Sequence, residues 1–206
     1  MIVEIIQKMT SIDWIIFAVT TIAYLILIAD IFINNGVSQN FFTWLLWGVL
    51  DSILLITTYK ENGADIAIIF SCAMCSFLVA ICLALIKKIK WRKSESRIFS
   101  LLVATVVIWL WSGSNLVGII FAITSEMIAG IPLMRSSWKN PGSRLTLASY
   151  LCFFISYIIS IYNSPNWDIE NVLFPLSFLI YSIGDTTPLV KKWWRIYERY
   201  NKIQRV

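Results

Sequence analysis

Apolar residues in this chain come in long, nearly unbroken runs, not in the alternation of a half-buried strand or the narrow stripe of a surface helix. A helix needs roughly 20 apolar residues to cross a bilayer. Runs near that length occupy Ile12–Ala29, Phe42–Thr58, Ile66–Ile86, Leu116–Met134, Leu145–Tyr162 and Asn171–Val190. A shorter one, Ile98–Trp111, stands fourth in order, and a single helix from Ile98 to Met134 would far exceed a bilayer. The pattern therefore predicts a break at Ser112-Gly113-Ser114-Asn115. Turn chemistry marks the other seams: Asn34-Asn35-Gly36, Glu61-Asn62-Gly63, Asn140-Pro141-Gly142 and Ser164-Pro165-Asn166. The expectation is an all-α integral membrane protein with seven transmembrane helices.

Composition agrees. The 206 residues are 58% hydrophobic and 14% charged, whereas a soluble domain needs a more polar surface. The net charge of +5 does not point to nucleic acid, because the bases fall in clusters between apolar runs. Lys87, Lys88, Lys90, Arg92, Lys93 and Arg97 follow the third span. Arg135, Lys139 and Arg144 separate the fifth from the sixth, and Lys191, Lys192, Arg195 and Arg199 follow the seventh. The intervening loops carry Lys60, Glu61 and Asp65, then Asp168 and Glu170. The positive-inside rule then puts the N-terminus outside and the C-terminus in the cytoplasm, in a membrane read as a bacterial cytoplasmic one. Met1–Asp13 carries Glu4, Lys8 and Asp13 without a basic start, so no cleavable signal is expected.

Sliding the chain on itself by 103 residues pairs the first three spans with the last three. Thr21 falls on Thr124, Ile28 on Ile131, Thr43 on Thr146, Trp47 on Tyr150, Tyr59 on Tyr162, and Asp65-Ile66 on Asp168-Ile169. Span ends and basic clusters coincide as well. The expected organisation is a first three-helix repeat with its N-terminal segment in residues 1–90, and a basic loop and linker helix in 91–114. A second three-helix repeat follows in 115–190, then a basic aromatic tail in 191–206. One linking helix makes the halves parallel, and such repeats place a solute site near the midplane between them.

This 3+1+3 order resembles the PQ-loop/SWEET superfamily of small-solute transporters and the PnuC-type vitamin transporters. In PQ-loop proteins a Pro-Gln pair at the cytoplasmic end of the first and fifth helices acts as a hinge. Here Pro132 is followed by Leu133, and the paired first-span position holds Ala29-Asp30. The resemblance thus implies a hinge at Pro132 alone. Trp44-x-x-Trp47-x-x-x-Asp51 is similar to a Trp-x-x-Trp…Asp segment of the PnuC family, which encloses a nucleoside-like vitamin, although that segment belongs to the family's second half.

Two carboxylates carry the most chemistry. Asp51 and Glu126 sit mid-span with no Lys or Arg nearby on the same helix. Such groups cost about 2.5 kcal/mol or far more at bilayer depth and persist mainly along solute or proton paths. A group so placed can take up a proton on one side and release it on the other. Trp44, Trp47 and Asp51 share one helical face, where aromatic rings suit flat or cationic solutes; an interfacial belt is the plainer role for Trp44. Tyr150 and Tyr157 share a face of the sixth span, and Ser177 is the deepest polar position of the seventh. Small residues around Glu126 permit close helix approach. Asp185-Thr186-Thr187-Pro188 is expected to close the seventh span. Cys72 and Cys75 form a CxxC inside an apolar run, which reads as packed small residues.

The candidate set is therefore Trp44, Trp47, Asp51, Tyr150, Tyr157 and Ser177 for substrate, Asp51 and Glu126 for proton coupling, and Pro132 for a hinge. No enzyme is expected: histidine is absent, and there is no Gly-rich phosphate loop or metal-ligand cluster. No cofactor is implied. The partners implied are a small solute such as a sugar, nucleoside-like vitamin or amino acid, the lipid bilayer and protons; oligomerisation is not required. The rival reading is a receptor or interaction protein that acts through its basic aromatic tail, where Lys191–Val206 alternates bases with Trp193, Trp194, Ile196 and Tyr197.

Overall fold

Each long apolar run folds as a helix, and several of these helices are started and stopped by residues of their own flanks. The computed structural model describes residues 2–35, 39–60, 66–86, 89, 93–164, 167 and 169–203, and every regular element among them is α-helical. These are α1 (Ile2–Lys8), α2 (Ser11–Asn34), α3 (Phe41–Lys60), α4 (Ile66–Leu85), α5 (Lys93–Ser112), α6 (Asn115–Lys139), α7 (Arg144–Asn163) and α8 (Ile169–Ile203). Lys87, Lys88, Lys90, Arg92 and the loop residues Gly36, Glu61, Asn62, Gly63, Asp65, Pro165, Asn166 and Asp168 lie outside the described residues.

Caps set the boundaries. Thr10 and Asp13 form a capping box at the start of α2, with Thr10 N–H donating to Asp13 at 2.8 Å. Asn35, at φ 54°, ends that helix in the left-handed region. Gly113, at φ +62°, makes the predicted break, and Ser114 then caps α6. Ser143 and Thr146 form the capping box of α7.

Among the described residues six helices, α2, α3, α4, α6, α7 and α8, are long and apolar enough to cross a membrane, where seven were expected. α5 is not among them: among the described residues its apolar stretch is Leu102–Ser112, and its first turns read Lys93-Ser-Glu-Ser-Arg97. The unexpected α1 buries Ile5, and Glu4 accepts a 2.8 Å hydrogen bond from Tyr59 at the far end of α3. α8 also departs from expectation. Asp185, Thr186, Thr187 and Pro188 lie inside it, and the helix runs on to Ile203. Thr186 and Thr187 turn their hydroxyls back onto the carbonyls of Ser182 and Ile183, at 2.6 and 2.7 Å, so the chain passes the proline as helix.

α4 packs against both α2 and α3, and α8 against both α6 and α7. Between these groups α2 meets α7, α3 meets α6, and α5 lies mainly along α6. Leu27, Leu54, Val79, Ala122, Ala129, Leu133 and Leu189 are fully buried, while Ile22, Leu25, Ile81, Ile155 and Ile180 are exposed on the bundle's outside. Apolar residues on both faces suit a lipid surround. Close approach rests on glycines in two places. A Cβ on Gly118 would come within 2.5 Å of Trp109, and one on Gly130 within 2.5 Å of the Tyr181 ring.

Candidate functional site

The packing of α3 on α6 brings the two mid-span acids to one place. Asp51 is 2% exposed and Glu126 fully buried, and the carboxyls are close enough to interact. Asp51 Oδ2 accepts from Ser76 of α4 at 3.3 Å, and the Ser76 hydroxyl lies 3.1 Å from Tyr24 OH of α2. Asp51 Oδ1 and both Glu126 oxygens reach no hydrogen-bond partner in good geometry among the described residues. Two buried acids with no basic partner can hold a proton or a small cation between them.

Beside this pair lies a cavity with about 20 Å³ of free space, room for roughly one water. Trp44 and Trp47 of α3 and Tyr150 and Tyr157 of α7 all line it. Tyr24 of α2 and Phe178, Tyr181 and Asp185 of α8 complete most of its wall. Ring-to-ring packing holds the wall: Trp44 meets Trp47 edge-on at 4.9 Å, and Trp47 meets Tyr181 at 5.3 Å. Trp44 is 1% exposed and donates its indole N–H to Gln39 at 2.9 Å, so it belongs to the interior and not to an interfacial belt. Trp47 donates to the Glu126 carbonyl at 2.9 Å, joining the cavity wall to the acid pair.

Of the expected solute-facing residues, Ser177 stands apart. It is half-buried and bonds the Leu173 carbonyl of its own helix at 2.6 Å, while Ser182, one turn on, lines the cavity. Pro132 lies inside α6, which continues through it. Three side chains pin the turn before it: Thr43 donates to Ala129 O, Tyr181 to Gly130 O and Trp47 to Glu126 O. Cys72 and Cys75 are buried free thiols, as packed small residues would be.

Comparisons with protein-family models, curated proteins and solved structures find no match.

Two acids escaped the sequence reading. Asp185 is fully buried at the cavity, with neither carboxyl oxygen in hydrogen-bond geometry to a partner among the described residues, although Tyr181 and Ser137 lie near it. The Thr-Thr-Pro that follows drew attention to a helix end and away from the acid. Asp30 is 3% exposed and accepts from Ser143, Thr146 and Asn34. Its place at the N-terminus of α7 suits a carboxylate. The available signal was its position one residue beyond the apolar run Ile12–Ala29.

The end of the bundle with the clustered bases is tied together. Lys192 Nζ donates to the carbonyls of Pro141 and Gly142 at 2.9 and 3.0 Å, and Arg144 stacks over Trp193 at 4.5 Å. Trp194 and Tyr197 remain exposed on the same tail.

Proposed function

We propose that this chain is a small-solute membrane transporter that works by alternating access between two three-helix halves, α2–α4 and α6–α8, joined by α5 as the linker. The carrying observation is the buried acid pair Asp51 and Glu126, without a basic partner and with three of its four carboxyl oxygens out of hydrogen-bond geometry among the described residues, beside a small aromatic cavity. A purely structural acid gains a full set of donors, as Asp30 does; Asp51 has one long bond from Ser76, and acids kept this short of donors suit a proton or a solute that comes and goes. The packing pattern supports the two-half arrangement. Exchanging α2, α3 and α4 for α6, α7 and α8 turns the α2–α7 contact into α6–α3, and the pairs within each half map onto one another.

In this reading the cavity between the halves, which has room for about one water as it stands, widens as the halves rock and takes a neutral or cationic metabolite. Trp44, Trp47, Tyr150 and Tyr157 form its walls, Asp51 and Glu126 couple its movement to protons, and Pro132 loosens α6 for rocking. The N-terminus lies outside and the C-terminus in the cytoplasm, which requires α5 to cross as a seventh span.

The test is pH-driven uptake into proteoliposomes from a panel of sugars, nucleosides, B-vitamins and cationic amino acids. Asp51→Asn and Glu126→Gln should each abolish pH-driven uptake while leaving the thermal midpoint close to that of the parent. Unchanged pH-dependent uptake in both variants removes the coupling role. If deleting residues 193–206 destroys function while both acid variants retain it, the exposed Trp194 and Tyr197 make the interaction-protein reading the better one.

A further inference from the structure

Resting on the transporter reading, we propose that the solute group held in the aromatic cavity is a protonated primary amine, with Asp185 as its counter-ion. Buried carboxyls in this bundle come in two kinds. Asp30 is met by three donors from α2 and α7. Asp185 is fully buried, lines the cavity, and has neither oxygen in hydrogen-bond geometry among the described residues. The Tyr150 hydroxyl, near Asp185, is buried and also without a partner in good geometry. An ammonium head is a three-fold donor with no acceptor, which is the complement of a carboxylate beside a phenolic oxygen.

The rest of the wall fits a cation too. The indole N–H groups of Trp44 and Trp47 are directed to Gln39 and to the Glu126 carbonyl, so neither is spent on an anion in the cavity. No basic side chain is among the lining residues, so no cation of the chain pairs with Asp185; the groups nearest it are the hydroxyls of Tyr181 and Ser137. Aromatic faces attract cations, and more strongly where water is excluded. Size then narrows the class. About 20 Å³ admits the –NH₃⁺ head alone and leaves the rest of the solute outside this space, whereas a trimethylated head is several times larger. Asp51 and Glu126 are not part of this lining. The proton pair and the amine site are therefore distinct, joined through Trp47.

The experiment is thermal unfolding of the detergent-purified full chain with ethylammonium, tetramethylammonium or neutral propionamide at millimolar concentrations. A ligand that binds only the folded state raises the midpoint. Ethylammonium should raise it in the parent and in Asp51→Asn, with little shift from the other two compounds, and Asp185→Asn should lose the effect. If Asp185→Asn does not fold, Tyr150→Phe keeps the ring and removes one acceptor, and should weaken ethylammonium binding about tenfold. An ethylammonium shift that survives Asp185→Asn, an equal shift from propionamide, or no shift in the parent overturns the proposal. The transporter reading is judged separately, since Asp51-dependent uptake of a neutral solute sustains it without any amine.

Discussion

Single side chains here show how a buried polar group is either satisfied or held in reserve. Asp30 and Asp185 lie on different helices, both buried, yet only Asp30 is surrounded by donors. The difference comes from the neighbouring element, since Asp30 meets the capping serine of α7, whereas the hydroxyls nearest Asp185, those of Tyr181 and Ser137, are not in hydrogen-bond geometry with it. Gly130 shows the same dependence in apolar packing. The Tyr181 ring lies where a Cβ would stand, and its hydroxyl donates to the Gly130 carbonyl. A rigid ring cannot swing aside as a flexible chain would. Gly130→Ala should therefore cost about 1–3 kcal/mol, the usual range for overpacking. Thermal unfolding in detergent would read this as a lower midpoint, and the loss from Gly130→Ala should be smaller when measured in a Tyr181→Ala background.

At the scale of elements, local sequence accounts for most helix ends. The capping boxes at Thr10 and Ser143 and the turn at Gly113 are chemical signals that need no distant partner. Gly113 offers a clean test, because its φ of +62° is left-handed and no atom lies within 4 Å of an added Cβ. Gly113→Ala should cost about 1–2 kcal/mol from backbone strain alone, and Gly113→Asn distinctly less, because Asn tolerates that region. Equal losses in the two variants, measured as thermal midpoints, would mean that the backbone angle is not the cause. α8 shows where local signals mislead. Thr-Thr-Pro reads as a stop, yet the threonine hydroxyls bond back to the preceding turn and the helix continues to Ile203. The continuation is held from outside, by Lys192 on the α6–α7 turn and Arg144 on Trp193.

For the whole molecule, the contact between α2 and α7 joins the two groups of helices at the basic end. Asp30 is its polar centre, so it latches the proposed halves together there. Asp30→Ala removes a carboxylate and leaves Ser143 and Thr146 without their acceptor. Hydrogen bonds to charged groups are worth about 1.5–3 kcal/mol each, and stranded donors cost more. The variant should lose about 3 kcal/mol of stability, while Lys192→Ala, at a partly exposed site, should lose less than about 1 kcal/mol. Comparable losses in thermal unfolding would show that the latch does not centre on Asp30.

The apolar runs by themselves determined the class of this protein and the position of nearly every helix, because a bilayer demands apolar length and internally bonded backbone whatever the neighbours are. They also singled out Asp51 and Glu126, since a carboxyl in such a run stands out without any partner. Trp44, Trp47, Tyr150 and Tyr157 were legible as faces of helices, but their meeting around one cavity was not. That meeting needed α3, α7 and α8 to pack together, and helix packing depends on surfaces that no single run contains. The rotation of α8 placed Asp185 at the cavity and Ser177 outside it. Tertiary structure also gave Asp30 its donors, which come from residues 113 and 116 positions further along the chain.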